Sequence, residues 1–207
     1  MIEPFFIKSF FIIVLIIYIT VFIVPIIILQ RRGIDAKGSS AQYSFLAKTC
    51  LIFSILWMVI IVLYVFFEEM MGYFLPFLFL TRDFFIISGM VIIGIGFIFE
   101  ILGMKKLGSN FRINLPNDTT ELVTSGIYRI MRNPIVFSAF LLGIGTFLII
   151  PNLLTLINLI GAIITFNAKV KDEERFLLAV FGREFEKYKE NVGRYFPINL
   201  KNLCKKN

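Results

Sequence analysis

Long apolar runs separated by short charged clusters dominate this chain of 207 residues. Each run comes close to the roughly 20 residues that cross a bilayer as a helix. The runs are Phe10–Leu29, Leu46–Phe67, Phe84–Leu102, Ile135–Ile150 and Leu153–Ala168. This pattern predicts an all-α polytopic membrane protein with about five transmembrane helices.

Two further segments have an apolar pattern but are not predicted to span. Met70–Leu80 is short and interrupted by Pro76, which predicts an interfacial or re-entrant piece. From Asp172 onward apolar residues recur at steps of three and four between charges, as in an amphipathic helix on the membrane surface. Gly182 is expected to weaken or bend that helix. The dipeptide Pro151-Asn152 joins the last two spans into a hairpin.

The distribution of basic residues predicts the orientation of the spans. The segments 30–48 and 105–132 are rich in Lys and Arg, so the positive-inside rule makes them cytoplasmic. Only Lys8 and Arg82 of the 21 basic residues then lie outside. We therefore expect the N-terminus outside, as part of a retained first helix, and the C-terminus in the cytoplasm.

Composition narrows the possible partners and chemistry. Hydrophobic residues make up 58% of the chain, and its net charge is +7. The basic residues flank the apolar segments, which favours a membrane surface over nucleic acid as their partner. The two cysteines, Cys50 and Cys204, form no pattern typical of a disulfide framework or a metal site. Because histidine is absent, any chemistry must depend on carboxylates, Tyr, Lys, Arg or a cofactor.

Two polar motifs flank the predicted hairpin and must therefore converge on one side of the bilayer. The first contains Tyr128 and Arg132-Asn-Pro134 before a helix start, where unpaired backbone N–H groups can bind an anionic or polar ligand. Arg129 and Arg132 can equally anchor that helix at lipid headgroups. The second motif begins with Glu173 and Glu174, which either cap the last helix or bind a cationic cofactor.

Two features within the spans favour structural interpretations. Glu100 lies about one turn before Lys105, which favours a side chain that extends to the interface rather than one in a functional site. Gly94-Ile-Gly96 and Gly143-Ile-Gly145 lack the strand-turn-helix context of a nucleotide loop, which favours close helix packing.

Together, the two motifs resemble the isoprenylcysteine carboxyl methyltransferase and phospholipid methyltransferase family of membrane enzymes. In that family Leu-Val-x-x-Gly-x-Tyr-Arg-x-x-Arg-His-Pro-x-Tyr precedes a helical hairpin. Glu-Glu-x-x-Leu, Phe-Gly-x-x-Tyr-x-x-Tyr and Arg-x-x-Pro follow it. The matching residues are Leu122, Val123, Gly126, Tyr128, Arg129, Arg132, Pro134, Glu173, Glu174, Leu177, Phe181, Gly182, Tyr188, Arg194 and Pro197.

The resemblance implies S-adenosylmethionine as cofactor and a lipid or small lipophilic molecule as methyl acceptor, with either a carboxylate or an amine to methylate. The cofactor residues that it implies are Thr120, Glu121, Leu122, Val123, Tyr128, Asn133, Pro134, Ile135, Val136 and Glu173. The substrate residues are Lys169 and Arg194. No catalytic side chain and no metal is assigned, because in-line methyl transfer depends mainly on proximity and orientation.

Three positions depart from the family pattern. Asn133 replaces a histidine, Val136 replaces a tyrosine, and Phe185 replaces the first tyrosine after Phe-Gly. The amide of Asn133 can still donate and accept hydrogen bonds, whereas Val136 removes a polar contact. These departures affect the expected substrate more than the expected cofactor.

The resemblance also suggests how the chain is organised. Residues 1–102 are expected to form three N-terminal spans, and residues 103–207 the methyltransferase region. A composition rich in Ile, Phe, Lys and Asn suggests a prokaryotic plasma membrane.

Two other functions are compatible with a membrane protein of this kind. A membrane NADPH-dependent reductase of the sterol type has a similar hairpin, but the phosphates of NADPH require additional arginines at the site. The Glu pair fits a cationic sulfonium better than it fits these phosphates. A transporter or scaffold would line a path with polar residues, whereas Glu100, Asn152 and Asn158 are scattered.

Overall fold

Six helices of eight or more residues make up most of the part of the chain that the structure describes. The computed structural model describes residues 2–31, 44–80, 82–108 and 121–196. The helices are α1 (Pro4–Arg31, with a π-helical turn at Ile19–Ile23), α2 (Ser44–Phe66), α3 (Asp83–Leu107), α4 (Pro134–Ile149), α5 (Leu153–Phe181) and α6 (Arg183–Asn191). Within these described ranges there is no strand, so the prediction of an all-α fold is confirmed.

Four of the helices are long and apolar enough to cross a membrane, namely α1, α2, α3 and α5. The remaining predicted span, α4, has 16 residues and therefore extends about 24 Å at 1.5 Å per residue. Large apolar side chains such as Phe5, Ile52 and Ile98 are exposed along α1, α2 and α3. A helical surface of this kind fits lipid as its solvent, in agreement with a polytopic membrane protein.

The last span continues well beyond its predicted end at Ala168. α5 runs through Asp172 to Phe181, because the charged stretch contains no Gly or Pro until Gly182 and gains an i,i+4 ion pair. Gly182 has a φ of +48°, a conformation that ends the helix, and the amphipathic helix α6 begins only at Arg183. The predicted helix start near Asp172 is therefore wrong, and the Glu pair lies inside a helix and caps nothing.

Close packing of α3 against α4 depends on small residues. A Cβ atom added to Gly89 would lie 2.6 Å from the carbonyl oxygen of Gly145, and one added to Gly145 would lie 2.6 Å from that of Gly89. Gly96 and Gly143 also meet neighbouring side chains closely, whereas Gly94 has nothing within 4 Å. The expected packing role is thus confirmed at three of the four glycines.

Glu100 differs from its sequence-based interpretation. Its side chain is 2% exposed in the C-terminal half of α3, so it does not extend to the interface. Lys105 and Lys106 are exposed in the last turn of the same helix, and within the described ranges neither forms an ion pair with Glu100. The reason is rotational: Glu100 faces the neighbouring helices, on the same side of α3 as Gly96 and Gly103.

Three connections gather the predicted extracellular segments at one end of the bundle. The Lys8 ammonium lies 2.9 Å from the Glu68 carboxylate, and the Ile2 amide donates to Asp83 at 2.9 Å. Pro76 forms an isolated bridge with Asn152, the residue that caps α5. The segment after α2 therefore lies against the hairpin turn, while the opposite end of the hairpin carries the polar motifs.

Candidate functional site

Backbone hydrogen bonds join the two polar motifs at the base of the hairpin. The amide of Arg132 donates to the carbonyl of Gly193 at 2.9 Å, and the amide of Asn133 donates to that of Arg194 at 3.1 Å. Met131 and Gly193 form a parallel bridge beside them. The expected convergence of the loop before α4 with the segment after α6 is therefore present in the structure.

A buried carboxylate holds this junction together. Arg132 Nη2 lies 2.8 Å from Glu174 Oε1, while Arg194 donates to both oxygens, from Nε at 2.9 Å and from Nη2 at 2.6 Å. The side chains of Arg132 and Glu174 are each 8% exposed, so Arg132 is not a headgroup anchor. The hydrogen bond to Glu174 raises the pKa of Arg194, since it favours the charged guanidinium.

The Arg132 side chain also fixes the end of α6. Its Nη1 donates to the carbonyls of Lys189 at 2.9 Å and of Val192 at 2.7 Å. Arg132 therefore ties α5, α6 and the loop before α4 into one unit. Arg129, by contrast, is exposed, which is compatible with the alternative role at lipid headgroups.

Glu173 has a different partner from its neighbour. It forms an ion pair with Lys169, one turn earlier on α5, so the structure joins an expected cofactor residue to an expected substrate residue. Both side chains are partly accessible, at 27% for Glu173 and 17% for Lys169. Neither charge is locked into the buried network of Glu174.

Three tyrosines surround this region. Tyr128 is buried, and its backbone carbonyl accepts a hydrogen bond from the Tyr188 hydroxyl at 2.6 Å. Burial raises the pKa of Tyr188 to about 12. Burial also raises the pKa of Tyr128, and the charge of Glu173 adds a smaller effect in the same direction. The Tyr195 hydroxyl donates to Asn167 Oδ1 at 2.8 Å, and burial raises its pKa too. All three phenols are therefore neutral at physiological pH and present uncharged aromatic rings to the site.

Two buried donors at the junction have no hydrogen-bond partner in the part of the chain that the structure describes. Asn133 Nδ2 and Arg132 Nε make no hydrogen bond among the residues that the structure describes. Asn133 precedes α4 and makes no side-chain cap to that helix. A buried donor that has no acceptor costs free energy of folding. The side-chain amide of Asn133 therefore favours the binding of a polar ligand here.

The other expected cofactor residues occupy varied positions. Thr120 lies outside the described residues. Glu121 is exposed, and Leu122 and Val123 are half-buried in an irregular segment. Pro134, Ile135 and Val136 form the first turn of α4, where Ile135 packs against Gly103 of α3.

Several residues of this region escaped sequence reasoning. The sequence motifs do not single out Asn167 and Tyr195, and they do not show that Arg132 and Glu174 form a buried pair. Glu174 and Arg132 are 42 residues apart, and no local pattern links two charges over such a distance. The available signal was the presence of both residues in motifs at the two ends of one hairpin.

Comparison with known proteins gives the region a family context. Residues 84–184 match the family described as phospholipid methyltransferase. A protein-S-isoprenylcysteine O-methyltransferase of Dictyostelium discoideum is 30% identical over 113 residues, which are 53% of this chain and 48% of that protein. A probable protein-S-isoprenylcysteine O-methyltransferase of Oryza sativa subsp. indica is 34% identical over 116 residues, 53% of this chain and 60% of that protein.

A human protein-S-isoprenylcysteine O-methyltransferase is 30% identical over 116 residues, 54% of this chain and 41% of that protein. This chain thus spans about half the length of the curated relatives that it matches. All three relatives are eukaryotic, which gives no support to the composition-based expectation of a prokaryotic plasma membrane.

Proposed function

We propose, from the match of residues 84–184 to phospholipid methyltransferases, that this protein transfers a methyl group from S-adenosylmethionine to a lipophilic acceptor in the membrane. The acceptor carries either a carboxylate, as in a prenylcysteine, or an amine, as in a phospholipid. The observation that carries the proposal is the junction of the two motifs, where the buried side-chain amide of Asn133 has no partner among the described residues.

The residues present at the junction fit the cofactor. Glu173 offers a partly accessible carboxylate for its ammonium group, and Asn133 offers an amide donor for its polar atoms. The aromatic face of Tyr128 suits a sulfonium cation. When bound, the cofactor supplies an electrophilic methyl group, whose C–S bond breaks as the acceptor atom bonds to carbon and the electron pair leaves on sulfur.

The protein's own contribution is to hold the reactants in line. Proximity and orientation supply up to about 7–11 kcal/mol of barrier reduction, which makes a catalytic side chain unnecessary. We assign Lys169 to the acceptor side, because it is partly accessible and lies one turn from Glu173 on α5. Arg194 acts as a positioning residue, because its guanidinium donates to Glu174 and its carbonyl accepts from the backbone amide of Asn133.

The test is ligand binding by the purified full chain in nanodiscs. We expect S-adenosylhomocysteine to raise the melting temperature and NADPH to leave it unchanged. Glu173→Gln should weaken S-adenosylhomocysteine binding by about 10- to 150-fold, since a charge-assisted hydrogen bond contributes about 1.5–3 kcal/mol. Glu184→Gln, on the exposed first turn of α6, is the matched control and should bind as the wild type does.

Two results would contradict the proposal. Stabilisation by NADPH alone would favour a reductase, and stabilisation by neither ligand would favour a non-catalytic membrane protein. Full affinity for S-adenosylhomocysteine in Glu173→Gln would remove Glu173 from the cofactor site while leaving the reaction class intact.

A further inference from the structure

An open pocket lies between the end of α5 and α6, outside the proposed cofactor site. Its volume is about 270 Å³, just below the range typical of small-molecule pockets. Of the expected cofactor residues that the structure describes, none lines it. The lining consists of Lys171, Glu174, Arg175, Leu178, Lys189 and Arg194. The pocket is therefore a separate cavity that borders the junction of the two motifs.

The pocket lies on the opposite side of α5 from Glu173. Successive residues of a helix point about 100° apart, so the four lining residues on α5, at steps of three and four, share one face. By the same spacing Lys169 and Glu173 point roughly 180° away from the middle of that face. The body of α5 separates the pocket from the carboxylate proposed to bind the cofactor ammonium. A ligand in the pocket does not compete with the cofactor for that carboxylate.

The lining of the pocket is strongly basic. Four basic residues line it against one carboxylate, that of Glu174, so the lining carries a net charge of +3. That carboxylate already accepts hydrogen bonds from Arg194 and from the buried Arg132. Arg175 pairs with Asp172 at 3.1 Å, but its side chain is 78% exposed, and such surface pairs are weak. The pocket therefore suits an anion with several acceptor oxygens, such as a phosphate group.

The position of the pocket along the helices corresponds to the level of lipid headgroups. Lys171 comes 18 residues after the start of α5, or about 27 Å at 1.5 Å per residue, close to the roughly 30 Å of a hydrocarbon core. The Arg194 carbonyl accepts from the backbone amide of Asn133, the residue before α4 begins. Leu178 in the lining and Phe196 near it in the chain are 42% and 64% exposed. Basic and apolar side chains thus meet where a phospholipid carries its phosphate.

An anionic phospholipid matches both the charge and the level of the pocket. Its phosphate accepts hydrogen bonds from basic side chains, whereas the basic lining repels the choline ammonium of a zwitterionic lipid. We propose that the pocket between α5 and α6 binds the phosphate group of an anionic phospholipid, with Lys171, Arg175 and Lys189 as its donors. This lipid is not the methyl acceptor, because α5 separates it from Glu173.

The test titrates purified full-length protein in neutral detergent micelles with lipids that share their acyl chains. Dioleoylphosphatidylglycerol is compared with dioleoylphosphatidylcholine, and the shift in melting temperature gives an apparent Kd for each. We expect phosphatidylcholine to bind about tenfold more weakly or worse, the loss of at least one charge-assisted hydrogen bond. Glycerol phosphate supplies the phosphate without acyl chains and should not stabilise the protein at the concentrations at which phosphatidylglycerol does.

A double variant removes two charges from the pocket. Lys171→Gln with Arg175→Gln should raise the apparent Kd for phosphatidylglycerol by about tenfold or more. Both residues are exposed, so the variant should fold as the wild type does. The matched control is Arg183→Gln with Lys187→Gln, which removes the same charge from exposed positions one turn apart on α6, outside the lining. The control should bind phosphatidylglycerol as the wild type does.

Three results would overturn the assignment. Equal apparent Kd values for the two lipids in the wild type would mean that the pocket does not select an anionic headgroup. An unchanged Kd in the pocket variant, or an equal loss in both double variants, would mean that phosphatidylglycerol responds to overall surface charge. Stabilisation by glycerol phosphate as strong as that by phosphatidylglycerol would identify a soluble phosphate as the ligand. These titrations contain no S-adenosylhomocysteine, so their outcome is independent of the proposed function.

Discussion

Glu173 and Glu174 are adjacent in the chain, yet their carboxylates have different partners. Because successive residues of a helix point about 100° apart, Glu174 faces Arg132 and Arg194, while Glu173 pairs with Lys169 on a more accessible face. The same residue type therefore serves two purposes. The buried carboxylate holds the junction together, and the accessible one remains available to a ligand.

Removing the buried charge should cost more stability than breaking a surface ion pair on the same helix. Glu174→Gln leaves two guanidinium groups without their partner, and loss of one member of a buried ion pair typically costs about 3–5 kcal/mol. Asp172→Asn is the control, because its partner Arg175 is 78% exposed and such surface pairs contribute about 0–1 kcal/mol. Thermal unfolding in nanodiscs measures both, and equal losses would mean that Glu174 is solvated in the protein.

At the scale of elements, the pair α3 and α4 is the rigid frame of the site. The two helices approach closely enough that the backbone of Gly89 meets that of Gly145, and the same register places the ring of Phe99 against that of Phe137. Between helices in lipid, close contact of small residues replaces the hydrophobic effect as a source of association. The position of α3 against the first turn of α4, where Gly103 meets Pro134, thus depends on these glycines.

A methyl group at the helix contact should separate α3 from α4. Gly145→Ala places a Cβ atom 2.6 Å from both the Gly89 carbonyl and Ile93 Cγ1, and overpacking of this kind costs about 1–3 kcal/mol. Gly94→Ala meets nothing within 4 Å and should be neutral or stabilising by up to about 1 kcal/mol, since alanine favours helix. Unfolding in a denaturing detergent compares them, and a neutral Gly145→Ala would contradict the described packing.

On the scale of the whole molecule, contacts separate the bundle into two polar ends. The ion pair of Lys8 with Glu68 and the bridge of Pro76 with Asn152 lie at one end, and the junction of Arg132 with Gly193 lies at the other. The site is therefore confined to the end that the positive-inside rule assigns to the cytoplasm. A soluble cofactor would reach it from there, and a lipophilic acceptor would reach it from the bilayer.

Thiol labelling in intact cells tests this orientation. In a Cys204→Ser background, Tyr73→Cys lies in an exposed turn on the predicted outer side and should react with a membrane-impermeant maleimide. Lys187→Cys, exposed on α6, should react only after permeabilisation. Labelling in the reverse order would mean that the positive-inside rule fails for this protein, whereas the buried Cys50 should stay unlabelled in both.

The sequence by itself determined the helical class, the membrane spans and the hairpin that brings the two polar motifs to one end, because hydropathy and charge act locally along the chain. Only the tertiary structure decided which charges meet. Glu174 bonds to arginines 42 residues before it and 20 residues after it, and Glu100 turns inward although a lysine lies one turn away. Helix rotation and packing fix such pairings, and these depend on all neighbouring helices at once.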